Sequence, residues 1–331
     1  VRNSAPDQQR KILLPISFGV SSVTLLNILD HHLKTQMAKT GRTGFSLHVL
    51  FVDSSRIHSA SPNADLLSGL QKRYPDHQYI TAALEDVFQY AKADDSLLEL
   101  LPGNNVDTPS LEQISTLMNS LTSATARADV LPILRTRLIV EEAKRLGCEG
   151  ILWGDSTTRL AEKTLTETAK GRGFSLPWQT ADGESAFGIT FNYPLRDLLK
   201  KELVSYINIL EPSLDPLVSE PSTTVTNMSS RNTTIDDLMK EYFESVEENF
   251  PSIVSNVVRT TGKLEASPGS ASNPRCSLCN MPVPNGQFGI HGWGGDQQDG
   301  LAPSSSDTSQ GLCYGCTRSI PQPSVSANGS S

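Results

Sequence analysis

The stretch KILLPISFGVSSVTLL, residues 11–26, carries the reading of the fold. Lys11 to Ile16 is an apolar run of strand length, and from Val20 a helical pattern begins in which Leu26, Leu29, Leu33 and Met37 recur three or four residues apart. Between them SFGVSS, residues 17–22, is a turn built mainly of small residues. A strand that turns through small residues into a helix exposes backbone N–H groups at the positive end of the helix dipole, an arrangement suited to a phosphate. With the leucine face of that helix on a sheet, His31 and His32 are expected to point to solvent.

Further strand-like runs, Phe45 to Val52, Gln78 to Ala82 and Gly150 to Trp153, alternate with helical patterns, which implies an α/β fold with a parallel sheet covered by helices. Residues 1–210 are expected to form this domain, with a helical insertion over 94–120 that is poorly ordered around Pro102-Gly103-Asn104-Asn105. Residues 124–147 read as another long helix, with Pro132 early, the apolar set Ile133, Leu134, Leu138 and Ile139 central and Gly147 as its stop; the bland reading is a surface helix with a solvated basic side. Residues 211–231, rich in Pro, Ser, Thr and Asn, read as a linker. Residues 232–264 read as two short helices broken at Pro251, packing on the main domain. A cysteine-bearing module over 275–318 and a disordered tail over 319–331 complete the expected organisation.

Composition narrows the function classes. A formal net charge of −8 argues against a free-standing nucleic-acid binder, while leaving room for a local basic patch. No run approaches the roughly 20 apolar residues of a spanning helix. The first ten residues lack an initiator Met and the apolar centre of a signal peptide, so the expected location is cytoplasmic. Five cysteines, four of them in two CxxC pairs, suit a reducing compartment with a metal site better than a disulfide framework.

Those pairs, Cys276-Ser277-Leu278-Cys279 and Cys313-Tyr314-Gly315-Cys316, are the sharpest chemical pattern in the chain. Each can aim two thiolates at one tetrahedral ion, and together they predict a closed structural zinc site; the competing reading is two reduced, unligated pairs. The 33 intervening residues are rich in Gly and can loop out at little entropic cost. Cys148, at the head of an apolar strand, is expected to be a buried small hydrophobe. A second small-residue turn, Gly154-Asp155-Ser156-Thr157-Thr158-Arg159, also joins a strand to a helix. Loops at the carboxyl ends of neighbouring parallel strands converge on one crevice, so residues 17–22 and 154–163 are expected to line a single pocket with Asp53. Asp53 reads equally well as a helix cap or a turn residue.

LLPISFGVSSVTLL, RADVLPILRTRLI, GCEGILWGDSTTRLAEKTLTETAKGRGFSLPW, FNYPLRDLLKKEL and the paired CxxC tail together resemble the cytoplasmic tRNA 2-thiolation protein 2 family, which belongs with the PP-loop ATP pyrophosphatases. The resemblance implies an adenine nucleotide alpha hydrolase-like sheet. Against the PP-loop pattern SGGxDS the chain keeps Ser17, Gly19 and Ser22 but has Phe18 for the first Gly and Ser21 for the Asp. Phe18 is expected to crowd the path of a phosphate, and Ser21 removes a carboxylate that could help organise magnesium. A GHNxDD-like segment of catalytic relatives reads Gly154-Asp155-Ser156-Thr157-Thr158-Arg159 here, and their CxxC and RCKP-like cysteines fall at Thr122-Ser123-Ala124-Thr125 and Phe191-Asn192-Tyr193-Pro194.

The resemblance therefore implies a nucleotide-loop remnant (Ser17, Gly19, Ser21, Ser22, Asp53, Gly154, Asp155) with no ATP turnover and no catalytic residue. It further implies a heterodimer with the catalytic thiolation protein 1 subunit, acting on wobble uridine of lysine, glutamate and glutamine tRNAs. Sulfur would come from a thiocarboxylated ubiquitin-related modifier. The rivals are an active ATP-dependent adenylating sulfurtransferase and a zinc-dependent interaction module. Arg127, Arg135, Arg137, Arg159, Lys163, Lys170 and Arg172 flank the expected crevice and form the candidate tRNA strip. The competing reading is solvated helix faces and local ion pairs such as Arg137 with Glu141.

Overall fold

The computed structural model describes residues 9–57, 64–91, 97–101, 108–219, 233–266, 272–286, 288–289 and 311–320. The loop at 102–105, the tail from 321 and the linker from 220 to 231 lie outside the described residues.

Strand β1 (Arg10–Ile16) carries Leu13 and Leu14 on opposite faces, both fully buried, which requires helices on both sides of the sheet. Helix α1 (Val20–Thr40) follows, then β2 (Phe45–Asp53), α2 (Ala64–Arg73), β3 (Gln78–Ala83), α3 (Ser110–Ser120) and α4 (Ala124–Arg145). Beyond α4 come β4 (Gly150–Leu152), α5 (Thr157–Ala169), the one-turn α6 (Leu176–Gln179), β5 (Gly183–Glu184), β6 (Thr190–Asn192) and α7 (Lys200–Ile209). The C-terminal part holds α8 (Ile235–Asn249), α9 (Pro251–Thr261) and the short α10 (Tyr314–Thr317). Strand order is β3-β2-β1-β4-β6-β5, parallel throughout except for β5 against β6.

The four strands read from sequence, β1 to β4, are contiguous in the sheet, with β3 at one edge. The pair β5–β6 has two and three residues, too few for a periodic pattern to show. Leu14, Ile16, Leu47 and Val49 face one helical layer with Leu26, Leu33, Leu203 and Ile207 of α1 and α7. Leu13, Leu50, Val52 and Ile151 face the other, with α3, α4 and α5. On α1, Leu26 and Leu33 are buried, His31 and His32 are exposed, and Met37 lies beyond the sheet and is exposed.

Several boundaries shift because apolar residues inside polar segments find the core. Helix α4 is an internal element rather than a surface one: Leu134 and Leu138 are fully buried and Arg137 is buried beside them. In the 94–120 segment Leu97, Leu98, Leu100 and Leu101 are buried and α3 adds Ile114 and Leu117. Packed chain continues past 210, with Leu214 and Leu217 buried and Arg73 donating to the carbonyls of Pro212 (2.6 Å) and Ser213 (2.8 Å). At the other end Ile320 is buried two residues beyond the expected module boundary. Among the described residues no helix is long and apolar enough to cross a membrane.

Phe18 departs from expectation in a way that defines the loop. Its backbone takes φ +59°, the left-handed region that normally selects Gly, and its side chain is fully buried beneath the loop, tilted against Phe51 at 5.1 Å between centroids. The ring therefore does not obstruct the cleft above. The Ser219 N–H donates to the Phe18 carbonyl at 2.8 Å and ties the 211–219 segment to the strained residue. Phe18→Gly relieves roughly 1–2 kcal/mol of backbone strain but forfeits about 3–5 kcal/mol of aromatic burial. The expected outcome is a net loss of about 2 kcal/mol in denaturant unfolding; a variant as stable as the parent would show that the ring contributes little.

Candidate functional site

The cleft opens where the strand order reverses, between β1 and β4, as expected for an open parallel sheet. It encloses about 460 Å3. Ser17 and Ser22 reach it from the first loop, Asp53 from the end of β2, Gly154 and Asp155 from the end of β4, and Arg159 and Lys163 from α5. The sequence-based convergence of these segments on one pocket is what the fold produces. Gly19 and Ser21, placed in the same set from the loop pattern, are not among the cleft-lining residues; they belong to the loop and first turn of α1.

Local geometry explains the loop residues. The Ser22 hydroxyl donates to the Gly19 carbonyl at 3.0 Å and lies 3.2 Å from that of Ser17, so both serines brace the turn. Gly154 is required by proximity: a Cβ there would stand 2.8 Å from the Ser22 Cα, so only Gly lets the two loops meet. Asp53 accepts the Ser55 N–H at 2.8 Å and thus is a turn residue that also lines the cleft. Ser156 caps α5. Thr157 donates to the Arg196 carbonyl at 2.6 Å, and Thr158 donates to the buried Glu247 carboxylate of α8 and accepts the Lys200 N–H. Glu247 also accepts the Lys201 N–H at 2.7 Å. The segment after Gly154 therefore fastens α5, α7 and α8 together.

The far wall is electrostatic. Asp129 of α4, buried, receives two bonds from Arg172 (2.6 and 2.9 Å), one from Lys170 (2.7 Å) and one from the Ser319 hydroxyl (2.5 Å). Burial alone would raise its carboxyl, but the Arg172 hydrogen bonds and charge, with those of Lys170, outweigh it and hold the group well below the usual carboxylate range. Arg172 also pairs with Glu167, and Lys170 with Asp236 at the start of α8.

Four sulfurs meet behind this wall. Cys276, Cys279, Cys313 and Cys316 are buried, with ligand atoms all within 4.8 Å of one another and 3.9 Å between Cys279 and Cys313. A single tetrahedral ion with metal–sulfur bonds of about 2.3 Å sets its sulfurs about 3.8 Å apart, so the four thiolates can hold one metal ion. A cubane iron–sulfur cluster, in which each thiolate has its own iron, needs a wider set. Hydrogen bonds from the Cys279, Cys313 and Cys316 thiols and from the Cys313 N–H hold the Cys276 thiol well below its ordinary value and favour the first thiolate. Arg137 donates to the carbonyls of Ser277 (2.9 Å) and Leu278 (3.1 Å), fixing the first CxxC turn from α4. The second turn abuts the end of α5: a Cβ on Gly315 would meet the Lys170 carbonyl at 2.5 Å. Cys279 and Met281 line the cleft, so the cluster is part of its wall.

The candidate basic strip divides accordingly. Arg137 and Arg172 are buried and Lys170 is nearly so, all with structural partners, and Arg127 donates to the Leu121 carbonyl between α3 and α4. Arg137, Lys170 and Arg172 serve the fold, because desolvated cations need the carboxylates and carbonyls they have found, while Arg127 is exposed. Arg135, Arg159 and Lys163 line the cleft, as do Lys170 and Arg172, whose charges are met there by Asp129, Glu167 and Asp236. Arg159 pairs with Glu162 at 2.9 Å; Lys163 donates to the Gln179 carbonyl at 3.2 Å, and burial pushes its ammonium down. Ser123, in the CxxC-equivalent stretch, caps α4, and the Tyr193 hydroxyl donates to the Gln179 carbonyl. Cys148 is buried, and desolvation raises its thiol. Asp129 and Glu247 were not singled out by sequence; both stand on the apolar side of a helix, next to Val130 and four residues after Phe243. A carboxylate at such a position is a usable sign of a buried polar joint.

Comparison with known proteins gives a consistent family. The model of the family described as cytoplasmic tRNA 2-thiolation protein 2 matches residues 234–289. A cytoplasmic tRNA 2-thiolation protein 2 from Phaeosphaeria nodorum is 64% identical over 323 residues, covering 96% of this chain and 83% of that protein. Proteins of the same name from Pyrenophora tritici-repentis and Ajellomyces capsulatus are 57% and 39% identical, over 99% and 98% of this chain and 86% and 93% of theirs. Among solved structures, the U34-tRNA thiolase NcsA from Methanococcus maripaludis, with its 4Fe–4S cluster, superposes with a TM-score of 0.54 over 83% of this chain and 82% of its own, at 13% identity. That likeness places the fold in the PP-loop type.

Two outcomes follow from the site. Protein prepared without chelator is expected to carry one metal ion per chain by mass spectrometry, and Cys279→Ser to lose it; full retention in that variant would exclude a four-thiolate site. Asp129→Asn should cost about 3 kcal/mol, since it leaves a buried guanidinium undercompensated. Because the Asp129 carboxyl titrates lower in the folded than the unfolded chain, its contribution is complete above about pH 5 and falls as acid takes the solution down through the carboxylate range. Denaturation curves of parent and variant should therefore converge toward low pH, and a gap independent of pH would refute the assignment.

Proposed function

Because the chain belongs to the cytoplasmic tRNA 2-thiolation protein 2 family, we propose that it is the noncatalytic subunit of a cytoplasmic heterodimer that 2-thiolates the wobble uridine of lysine, glutamate and glutamine tRNAs. A catalytic thiolation protein 1 subunit supplies the adenylating centre, and thiocarboxylated ubiquitin-related modifier supplies the sulfur. The observation that carries this reading is the fate of the segment after Gly154. Thr157 and Thr158 are spent on the Arg196 carbonyl and on Glu247, so a stretch that would hold catalytic side chains instead anchors the C-terminal helices.

Thiol chemistry supports the same division of labour. The thiol among the described cleft-lining residues is Cys279, a member of the four-cysteine cluster, and Cys148 is buried with its thiolate disfavoured. Sulfur transfer needs an accessible, activated thiol or an equivalent carrier. The metal in the cluster is zinc, which favours a closed tetrahedral set of four thiolates and has there a structural role. Arg135, Arg159 and Lys163 form a short cationic rim able to hold tRNA phosphates. Lys170 and Arg172 line the same cleft but have their charge met by Asp129, Glu167 and Asp236, and Arg137 is buried against the first CxxC turn.

Reconstitution tests the reading. Purified chain alone is expected to release no pyrophosphate from ATP, and tRNA thiolation to need both subunits. Clear pyrophosphate release by the chain alone would favour the active sulfurtransferase, and thiolation independent of it would leave an interaction module. In the heterodimer, Arg159→Ala combined with Lys163→Ala should weaken tRNA binding and lower its salt dependence by up to about one unit of slope per lost phosphate contact. Unchanged affinity and thiolation would assign the RNA surface to the partner.

A further inference from the structure

Helix α8 has a face that the cleft does not explain. Its inner side, with Phe243 and Glu247, is buried. Along a different line Ile235, Leu238 and Tyr242 recur three and four residues apart and stand exposed. Where the chain turns into α9, Phe250 and Ile253 add apolar surface that is 60% and 46% exposed. Tyr242 packs edge-on against the buried Phe243, with ring centroids 5.1 Å apart, so an exposed aromatic is already held in one orientation. Rigid aromatic anchors of this kind bind partners with little ordering cost.

Charge identifies the occupant. Glu241 and Glu248 are exposed on the side of α8 next to the apolar line, and Asp237, also exposed there, accepts the Thr234 N–H and hydroxyl in the cap of the helix. The other acids of the helix are committed elsewhere: Asp236 to Lys170, Glu244 to Lys200, and Glu247 to Thr158. Glu241 and Glu248 have no ion pair among the described residues. Glu248 also sits in the last turn of α8, at the negative end of the helix dipole, where an acidic side chain is disfavoured. RNA would bring phosphates against these carboxylates, and a second copy packed symmetrically on the same face would bring the same carboxylates. A different polypeptide with apolar side chains bordered by Lys or Arg satisfies both features.

We propose that the exposed line of Ile235, Leu238 and Tyr242 on α8 is the docking surface for an amphipathic, basic-edged segment of the partner subunit; this rests on the reading of the chain as one subunit of a heterodimer. The test titrates full-length chain with purified thiolation protein 1 subunit by calorimetry at low and moderate salt. Leu238→Asp combined with Tyr242→Asp should raise Kd at least about 30-fold, as loss of a central anchor does. Glu241→Lys combined with Glu248→Lys alters only exposed charges and should raise Kd at low salt and flatten its salt dependence. Failure of the parent chain to bind overturns the heterodimer reading and this surface with it. A parent complex that tolerates both double variants overturns the surface alone. Self-association of the parent that is lost in the Leu238/Tyr242 variant would make the occupant a second copy and overturn the heteromeric assignment.

Discussion

Asp129 is the point on which the far side of the molecule is organised. One buried carboxylate on α4 receives the guanidinium of Arg172, the ammonium of Lys170 and the hydroxyl of Ser319. Through these it joins the central helix to the end of α5, to α8 by way of Asp236, and to the second CxxC turn. A buried charge is expensive unless fully compensated, and the cost falls on every alternative arrangement of these elements rather than on the native one. The ion-pair set therefore works less as a source of net stability than as a device for specifying where a polar tail must sit.

The four-cysteine cluster completes the same construction from the other direction. Its first turn is held by Arg137 of α4 and its second presses on the end of α5, so a metal ion bound there closes a loop of chain whose flanks are pinned to the main domain. Metal binding and the ordering of such a tail are one thermodynamic event. Cys279 and Met281 then form part of the cleft wall, which makes the shape of the cleft a property of the whole chain rather than of the sheet alone.

On the near side the constraint is steric. Gly154 permits the two small-residue loops to touch, while Phe18 accepts a left-handed backbone because its ring is buried below the loop. The cleft above the loops is lined by Ser17 and Ser22 from the first loop and by Gly154 and Asp155 from the second. Glu247 meets Thr158 across the helix boundary, so the C-terminal helices are fastened to the turn that frames the cleft.

Sequence alone determined strands β1 to β4, the long helices, the convergence of the two loops and the thiol set, because each rests on a local period or spacing that survives without knowledge of neighbours. It also marked Gly154 and the departures at Phe18 and Ser21, although not the direction of the Phe18 ring. Tertiary structure decided which cations are buried. Arg137, Lys170 and Arg172 look like surface charges on a helix pattern, but their carboxylate and carbonyl partners lie on other elements, and in the case of Arg137 140 and 141 residues away. Buried ion pairs are non-local, and no single-segment pattern distinguishes a cation that faces solvent from one that closes a core. The short strands β5 and β6 and the packing of residues 211–219 were decided in the same way, by contacts that exist only once the sheet has formed.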